Sequence, residues 1–192
     1  GSGKTYHIKN IEKYLNKKKI KFIKLREPGG SINSEKIRKL ILNKKSNFKN
    51  LTDLFLYMAA RNENYHNIIK KNYNKKIILI DRFIDSTIAY QHYGMGVDKK
   101  IINLINNYLL NKIKIGYTFL HTVNEKNLRN RLYKRKSLNR YDKFNHLFYK
   151  KVQLGFLNIA KRKKGKYLII NSNDKINENK KKKINKLNKL IN

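Results

Sequence analysis

The 192-residue sequence predicts an α/β protein, a parallel sheet covered on both faces by helices. Three observations predict it. Segments of helical and strand character alternate along the chain. Ile77-Ile78-Leu79-Ile80 is a continuous apolar run of the kind a buried parallel strand requires, and the polar pair Asp81-Arg82 follows at its carboxyl end. The chain opens Gly1-Ser2-Gly3-Lys4-Thr5, the closing half of a phosphate-binding loop whose full pattern is Gly, four residues, then Gly-Lys-Ser/Thr between a strand and a helix.

The elements follow in order. Ile8, Ile11, Tyr14 and Leu15 recur at helical spacing, the helix such a loop should open, and Lys17 to Lys19 end it. Ile20 to Leu25 alternates as a strand and runs into the turn Arg26-Glu27-Pro28-Gly29-Gly30, which holds the only proline. Ser34, Ile37, Leu40 and Ile41 read as a capped helix. Thr52 is placed to cap a long helix carrying Leu56, Ala59, Ala60, Ile68 and Ile69. After the Ile77–Ile80 strand, Ile101, Ile105, Tyr108 and Leu109 mark another helix. Gly116 to Leu120 is a strand, Asn124 to Arg135 a very basic helix, Asp142 to Ala160 a longer one, and Tyr167 to Ile170 the last strand. Ile184, Leu187, Leu190 and Ile191 fit one face of a terminal helix, with the run Lys180 to Lys183 as its solvated side. There are no internal repeats and no linker long enough to split domains.

Composition narrows the function. The net charge of +35 invites a nucleic-acid reading. Lysine, asparagine and isoleucine are spread along the whole chain, however, and A+T-rich codons favour all three. The aromatics do not interleave with basic residues as in RNA-recognition motifs, so no nucleic-acid partner is expected. No apolar stretch is long enough to span a membrane, and the polar, glycine-rich beginning does not suit an export signal. The absence of cysteine excludes disulfides and thiolate metal sites. The histidines His7, His66, His92, His121 and His146 show no paired metal-ligand spacing.

The chemistry lies at three places. Glycines in the opening loop let backbone amides approach an anion at a helix start. Lys4 would then reach the β- and γ-phosphates, and Thr5 would place its hydroxyl on Mg²⁺. Asp81-Arg82 sits beyond the carboxyl end of a strand, where ligands of open α/β sheets bind. The carboxylate there can hold a metal-bound water and the guanidinium can grip a phosphate, although an ordinary ion pair would look the same. Pro28, Gly29 and Gly30 fix a turn that can lie close to a ligand, or simply a tight turn.

Taken with Ala59-Ala60-Arg61 and Ser86-Thr87-Ile88-Ala89-Tyr90-Gln91, these features resemble the thymidylate kinases of bacterial type, which phosphorylate dTMP to dTDP. In that family a glycine-rich loop ending Gly-Lys-Thr precedes Arg-Glu-Pro-Gly-Gly, then an aromatic residue four before the arginine of Ala-Ala-Arg. Asp-Arg with Ser-Thr-x-Ala-Tyr-Gln follows, and a basic segment runs into Asp-Arg-x-Glu. The chain shows each in order over nearly its whole length.

The resemblance implies a P-loop NTP hydrolase-like, five-stranded parallel sheet flanked by helices, in one domain with a lid at about residues 131–143. It implies ATP and Mg²⁺, a cytoplasmic location and a homodimer. Gly1, Ser2, Gly3, Lys4 and Thr5 would hold ATP. Arg38 and Arg82 would hold the dTMP phosphate, with Glu27, Pro28 and Ser86 lining that site. Tyr57 would stack on thymine in place of the usual phenylalanine, Arg61 would hydrogen-bond the base, Thr87 and Gln91 would line its pocket, and Tyr90 would press on the sugar to favour deoxyribose. Thr5 and Asp81 would serve the metal. Arg135 would reach the transferring phosphoryl group, with Arg131 and Arg140 supporting it or contacting ATP. The alternatives are another nucleoside monophosphate kinase, or a basic protein of the same fold that binds nucleic acid and has lost catalysis.

The chain departs from the pattern at several places. The first loop glycine, its acidic neighbour and the strand feeding the loop are missing, as is an initiating methionine. The expectation is a fragment in which two neighbouring strands carry unpaired edges. Met95 stands where arginine is frequent, His121 where aspartate is frequent, and Asn139 and Asp142 replace the acids of Asp-Arg-x-Glu.

Overall fold

The structure, a computed structural model, describes residues 4–110, 113–133 and 139–191, the side chains of 131 and 132 apart. The chain divides into two compact units. One comprises Gly1–Lys21, Ile115–Lys136 and Ala160–Asn192; the other comprises Phe22–Lys114 and Ser137–Ile159.

In the first unit, α1 (Lys4–Lys17) buries His7, Ile11 and Leu15, four residues apart and therefore on one face. Two strands, β3 (Thr118–Thr122) and β4 (Tyr167–Asn171), pair in parallel from Thr118 opposite Tyr167 to Thr122 opposite Asn171. The basic helix α7 (Glu125–Tyr133) carries Arg129 on its solvated side, where it pairs with Glu125 one turn earlier. The last helix, α9 (Ile176–Ile191), packs on α1 and β4, and the Tyr14 hydroxyl donates to Asn188 Oδ1 at 2.5 Å. Here the structure corrects the sequence reading. Asn179, Lys183 and Leu187 form the buried stripe of α9, so Lys183 leaves the solvated side, while Leu190 is exposed. Positions 179, 183 and 187 recur every four residues and so share one face, from which Asn179 Nδ2 donates to the Asn171 carbonyl of β4 at 2.8 Å.

The second unit pairs β1 (Phe22–Arg26) with β2 (Ile77–Asp81) in parallel, Phe22 opposite Ile77 and Arg26 opposite Asp81. The four strands expected in this chain are thus the four found among the described residues, arranged as two parallel pairs. Ser31 caps α2 (Ile32–Leu42), its hydroxyl accepting from the Ser34 amide. The long helix α3 (Asn50–Asn64) starts two residues before Thr52, with Lys49 at its cap and no capping side-chain bond. It continues through a π-helical turn (Tyr65–Ile69) into α4 (Lys70–Asn72). A single turn, α5 (Ile84–Thr87), runs into a π-helix (Ile88–Gly94), and α6 (Lys99–Leu110) follows.

The helix expected over Asp142 to Ala160 is broken in two. A 3₁₀ turn (Arg140–Lys143) is closed by a capping box, Asn139 Oδ1 accepting from the Tyr141 amide at 2.9 Å and Asp142 Oδ2 from the Asn139 amide at 2.9 Å. Phe144 is extended, and α8 (His146–Arg162) then begins. The core of this unit gathers Ile41, Ala89, Tyr141, Phe148 and Val152, with Tyr57, Tyr90 and Phe156 packed against them.

Close approach of the π-helix to α8 depends on glycine. A Cβ on Gly155 would stand 2.6 Å from Tyr93 Cδ2 and 2.9 Å from Tyr93 Cβ, too near the root of that side chain for it to swing away. Gly155→Ala is therefore expected to destabilise the protein. Overpacking costs about 1–3 kcal/mol, which outweighs the gain of about 1 kcal/mol in helix propensity. Thermal unfolding checks this; a raised midpoint would show that Tyr93 has another place to go.

Candidate active site

Both strands of the β1–β2 pair deliver chemistry at their carboxyl ends. After β1, Arg26-Glu27-Pro28-Gly29-Gly30 turns sharply, with φ of 112° at Gly29 and 115° at Gly30, a region that suits glycine. Every part of the turn is held. The Glu27 amide donates to the Asp81 carbonyl at 3.0 Å. The Gly29 amide donates to Ser34 Oγ at 3.0 Å and the Gly30 amide to Glu35 Oε1 at 2.8 Å. Asn64 closes it from α3, Nδ2 donating to the Gly29 carbonyl at 2.7 Å and Oδ1 accepting from the Ser31 amide at 3.0 Å.

Three guanidiniums converge beside this turn. Arg38 donates from Nη1 to the Pro28 carbonyl at 2.7 Å. Burial, then neighbouring Arg26 and also Arg82, push Arg38 below the ordinary arginine value, while Glu35 and Tyr57 act against them. Arg26 pairs with Glu35 at 3.1 Å. Arg82 has a left-handed backbone, φ 68°, which turns its side chain back over the Tyr90 ring at 5.1 Å, and Nη2 donates to the Tyr90 hydroxyl at 3.3 Å. Tyr90 and, to a smaller degree, Asp81 raise Arg82 above its ordinary value against the effect of burial. Three guanidiniums against the carboxylates of Glu35 and Asp81 leave positive charge in excess, which makes a site for an anion.

Tyr57 lies between these arginines and the aromatic core. Its ring meets Tyr141 edge-on at 6.2 Å, and burial raises its hydroxyl pKa. Beneath it Arg61, 1% exposed, spends its donors on protein: Nε to Glu27 Oε2 at 2.8 Å, Nη1 to Asn106 Oδ1 at 2.7 Å, Nη2 to Thr87 Oγ1 at 2.9 Å. Glu27 Oε1 and Asn106 Nδ2 are buried there with no protein partner. Burial drives the Glu27 carboxyl upward and Arg61 draws it back. Gln91 donates from Nε2 to Asp53 at 3.1 Å, and its Oε1 is likewise buried and unpartnered.

Arg38, Arg82, Tyr57, Glu27, Pro28, Arg61, Thr87, Tyr90 and Gln91 thus fall in one unit with Asp81, Ser86 and Arg140. Ser86 is half-buried on α5. Asp81 Oδ1 is buried without a protein partner, which suits a carboxylate facing a metal-bound water. In the other unit, Lys4 and Thr5 form the first turn of α1, which has no acidic residue; amides at such an end favour phosphate. Among the described residues no cluster of three or more His, Asp or Glu could cage a metal. Gly1, Ser2, Gly3 and Arg135 lie outside the described residues, as does the side chain of Arg131.

Sequence reasoning missed Asp53, Asn64 and Asn106. The signal for two of them was present: Asp53, Tyr57, Arg61 and Asn64 stand at i, i+4, i+8 and i+11 of α3 and therefore share a face. Asn106 is reached only from a separate helix.

An anion site at the carboxyl ends of parallel strands, beside an aromatic ring and in a chain whose first helix opens on Lys-Thr, defines a P-loop nucleotide kinase. The sequence profile of the thymidylate kinase family matches residues 1–183. A thymidylate kinase of Sulfurihydrogenibium sp. (strain YO3AOP1) is 37% identical over 171 residues, covering 88% of this chain and 83% of that one. One from Geotalea daltonii is 33% identical, covering 93% and 87%. The crystal structure of thymidylate kinase from Ehrlichia chaffeensis superposes with a TM-score of 0.79 at 32% identity, over 98% of this chain and 93% of that one. The chain belongs to the thymidylate kinase family, and its fold is the α/β P-loop fold of that family. Among the described residues no helix is long and apolar enough to cross a membrane.

Proposed function

We propose that the protein transfers the γ-phosphoryl group of ATP to dTMP, giving dTDP and ADP. The observation that carries this reading is the convergence of Arg38, Arg82 and Arg26 beside Tyr57, an anion site with a stacking surface next to it. Arg38 and Arg82 hold the phosphate of dTMP so that one of its oxygens faces the incoming phosphorus. That oxygen forms the new P–O bond, and the bond to ADP breaks with its electron pair leaving on ADP. Such transfer needs positioning and charge neutralisation and no covalent enzyme intermediate.

Tyr57 stacks on the base. Thr87 and Gln91 line its pocket, the free Gln91 Oε1 supplying an acceptor for a base N–H. Arg61 shapes that pocket and presents its remaining Nη2 hydrogen to the base. Tyr90 closes on the sugar, where a ribose hydroxyl would collide. Glu27 and Pro28 set the wall against which Arg38 leans. Lys4, Thr5 and the residues before them bind ATP, Arg135 steadies the group in transfer, and Arg131 assists. Mg²⁺ carried with ATP would neutralise phosphate charge when bound; the Thr5 hydroxyl in the first unit and the Asp81 carboxylate in the second are each of a kind that could serve it. A cytoplasmic homodimer belongs to the same reading, and light scattering of the purified chain tests the dimer.

The direct test is transfer of labelled γ-phosphate from Mg-ATP to dTMP, dUMP, UMP and CMP. Labelled dTDP in large excess over UDP and CDP is expected; equal labelling of the ribonucleotides, or none of any acceptor, refutes the proposal. Arg38→Met is expected to lower kcat/KM for dTMP roughly 10- to 150-fold, as charged hydrogen bonds are worth about 1.5–3 kcal/mol. Most of the change should fall in KM. Thermal stability should stay near that of the parent, because Arg38 is only half-buried and bonds one carbonyl.

A further inference from the structure

One carboxylate in the second unit gathers three donors. Asp53 is 1% exposed on α3. Its Oδ1 pairs with Arg140 Nη2, and its Oδ2 accepts from the Tyr141 hydroxyl at 2.5 Å and from Gln91 Nε2 at 3.1 Å. The Arg140 guanidinium is sandwiched, 5.3 Å over the Phe48 ring and 5.0 Å over Tyr141. Tyr141 in turn meets Tyr57 and Tyr90 edge-on, at 6.2 and 5.8 Å. Three separate elements, α3, the π-helix and the 3₁₀ turn, are therefore joined at a single side chain. A buried carboxylate is poor value for stability compared with an apolar side chain of the same size. What it gives is direction: two oxygens fix three donors at defined angles.

We propose that Asp53 is a positioning residue for phosphoryl transfer, one that fastens the Arg140–Lys143 turn to the helix bearing Tyr57 and Arg61. The inference rests on the proposed dTMP kinase reading. In the sequence, the turn immediately follows the segment containing Arg135. Its placement therefore fixes the chain at the end of that segment, while Gln91 on the same carboxylate joins the π-helix to it. Asparagine cannot do the same. It offers one acceptor oxygen and would set an N–H against the other donors.

The test compares the full parent chain with Asp53→Asn and Tyr141→Phe by amide hydrogen exchange and by steady-state kinetics. Asp53→Asn is expected to speed exchange of the Tyr141, Asp142 and Phe144 amides by at least about tenfold while β1 and β2 amides hold. It should lower kcat by at least about tenfold with KM for dTMP within roughly threefold. Tyr141→Phe should move both readouts the same way and less far. Unchanged exchange in the turn, unchanged kcat, or a uniform rise in exchange across the whole unit each overturns the proposal. If the parent chain itself transfers nothing to dTMP, the kinase reading fails, and the exchange data still decide whether Asp53 holds the turn.

Discussion

Glu27→Gln is expected to be among the most damaging single substitutions in this protein, lowering its unfolding free energy by about 3–5 kcal/mol. The size follows from burial. Arg61 and Glu27 are 1% and 3% exposed at the side chain, and the pair closes at 2.8 Å. Two ions so placed stabilise the fold little relative to apolar residues, but removing one charge leaves the other buried and uncompensated. The neutral amide keeps the shape and can still accept from Arg61 Nε, so the loss isolates the charge. Activity should fall with stability, since Arg61 also bonds Asn106 and Thr87, and Thr87 lines the pocket proposed for the base. Urea unfolding at neutral pH measures the change. The double variant Glu27→Leu with Arg61→Met should be less destabilised than the sum of its parts, because it removes both ions together. A Glu27→Gln midpoint within experimental error of the parent would show that Arg61 finds its compensation elsewhere.

Lys183→Met is expected to act in the opposite direction, stabilising the protein by about 1–4 kcal/mol at pH 7. Lys183 is 1% exposed, and its Nζ has no hydrogen-bond partner. Its neighbours are His7 on α1 and His121 on β3, whose rings stack at 4.8 Å, and Lys4 also bears on His121. No carboxylate contributes to the shift of any of the three. Burial lowers Lys183 to about 7. Burial first, then Lys183, lowers His7 to about 4 and His121 to about 3.

The direction with pH follows from linkage. Between about pH 7 and the ordinary lysine value near 10.4, the unfolded chain holds a proton that the folded chain releases, so stability should climb as pH rises through that window. The two histidines add a second fall below about pH 6.5, continuing toward pH 3. Methionine fills the same volume without a charge. Its variant should lose the upper slope and keep the lower one. Melting curves at pH 5, 7 and 9 test both parts, at roughly 2–4 °C per kcal/mol for a chain of this length. A lower midpoint at pH 7 for Lys183→Met would mean that the ammonium has an anionic partner.

Much of the proposed phosphate site was legible in the amino-acid order because its requirements are local. Strand β2 announced itself as four consecutive apolar residues, and a parallel strand places whatever follows it at the ligand-binding edge. That is where Asp81 and Arg82 stand. The glycines after Pro28 mark a backbone that other residues cannot follow, and φ values above 100° at both positions are the reason.

The sequence could not show where long side chains finish. Arg61 is identical in letters to an arginine open to a ligand, yet most of its donors end on Glu27, Asn106 and Thr87, which lie 34, 45 and 26 residues away in the chain. The lysine run before Ile184 looks solvated throughout. One of its four members is buried because it shares a stripe with Asn179 and Leu187 on a helix that packs on α1 and β4. The break before His146 likewise lies at Phe144, which is extended, and Asn145, whose Oδ1 accepts from the Phe148 amide at 3.0 Å.

The sequence by itself determined the fold class, the strands in their order along the chain and the residues proposed to meet phosphate, since periodicity, turn chemistry and strand ends are properties of neighbours in the chain. The tertiary structure alone decided which charges are paired, which are stranded and which carboxylate ties three elements together. Those outcomes depend on desolvation and on contacts between residues far apart in sequence, and neither is written in local order.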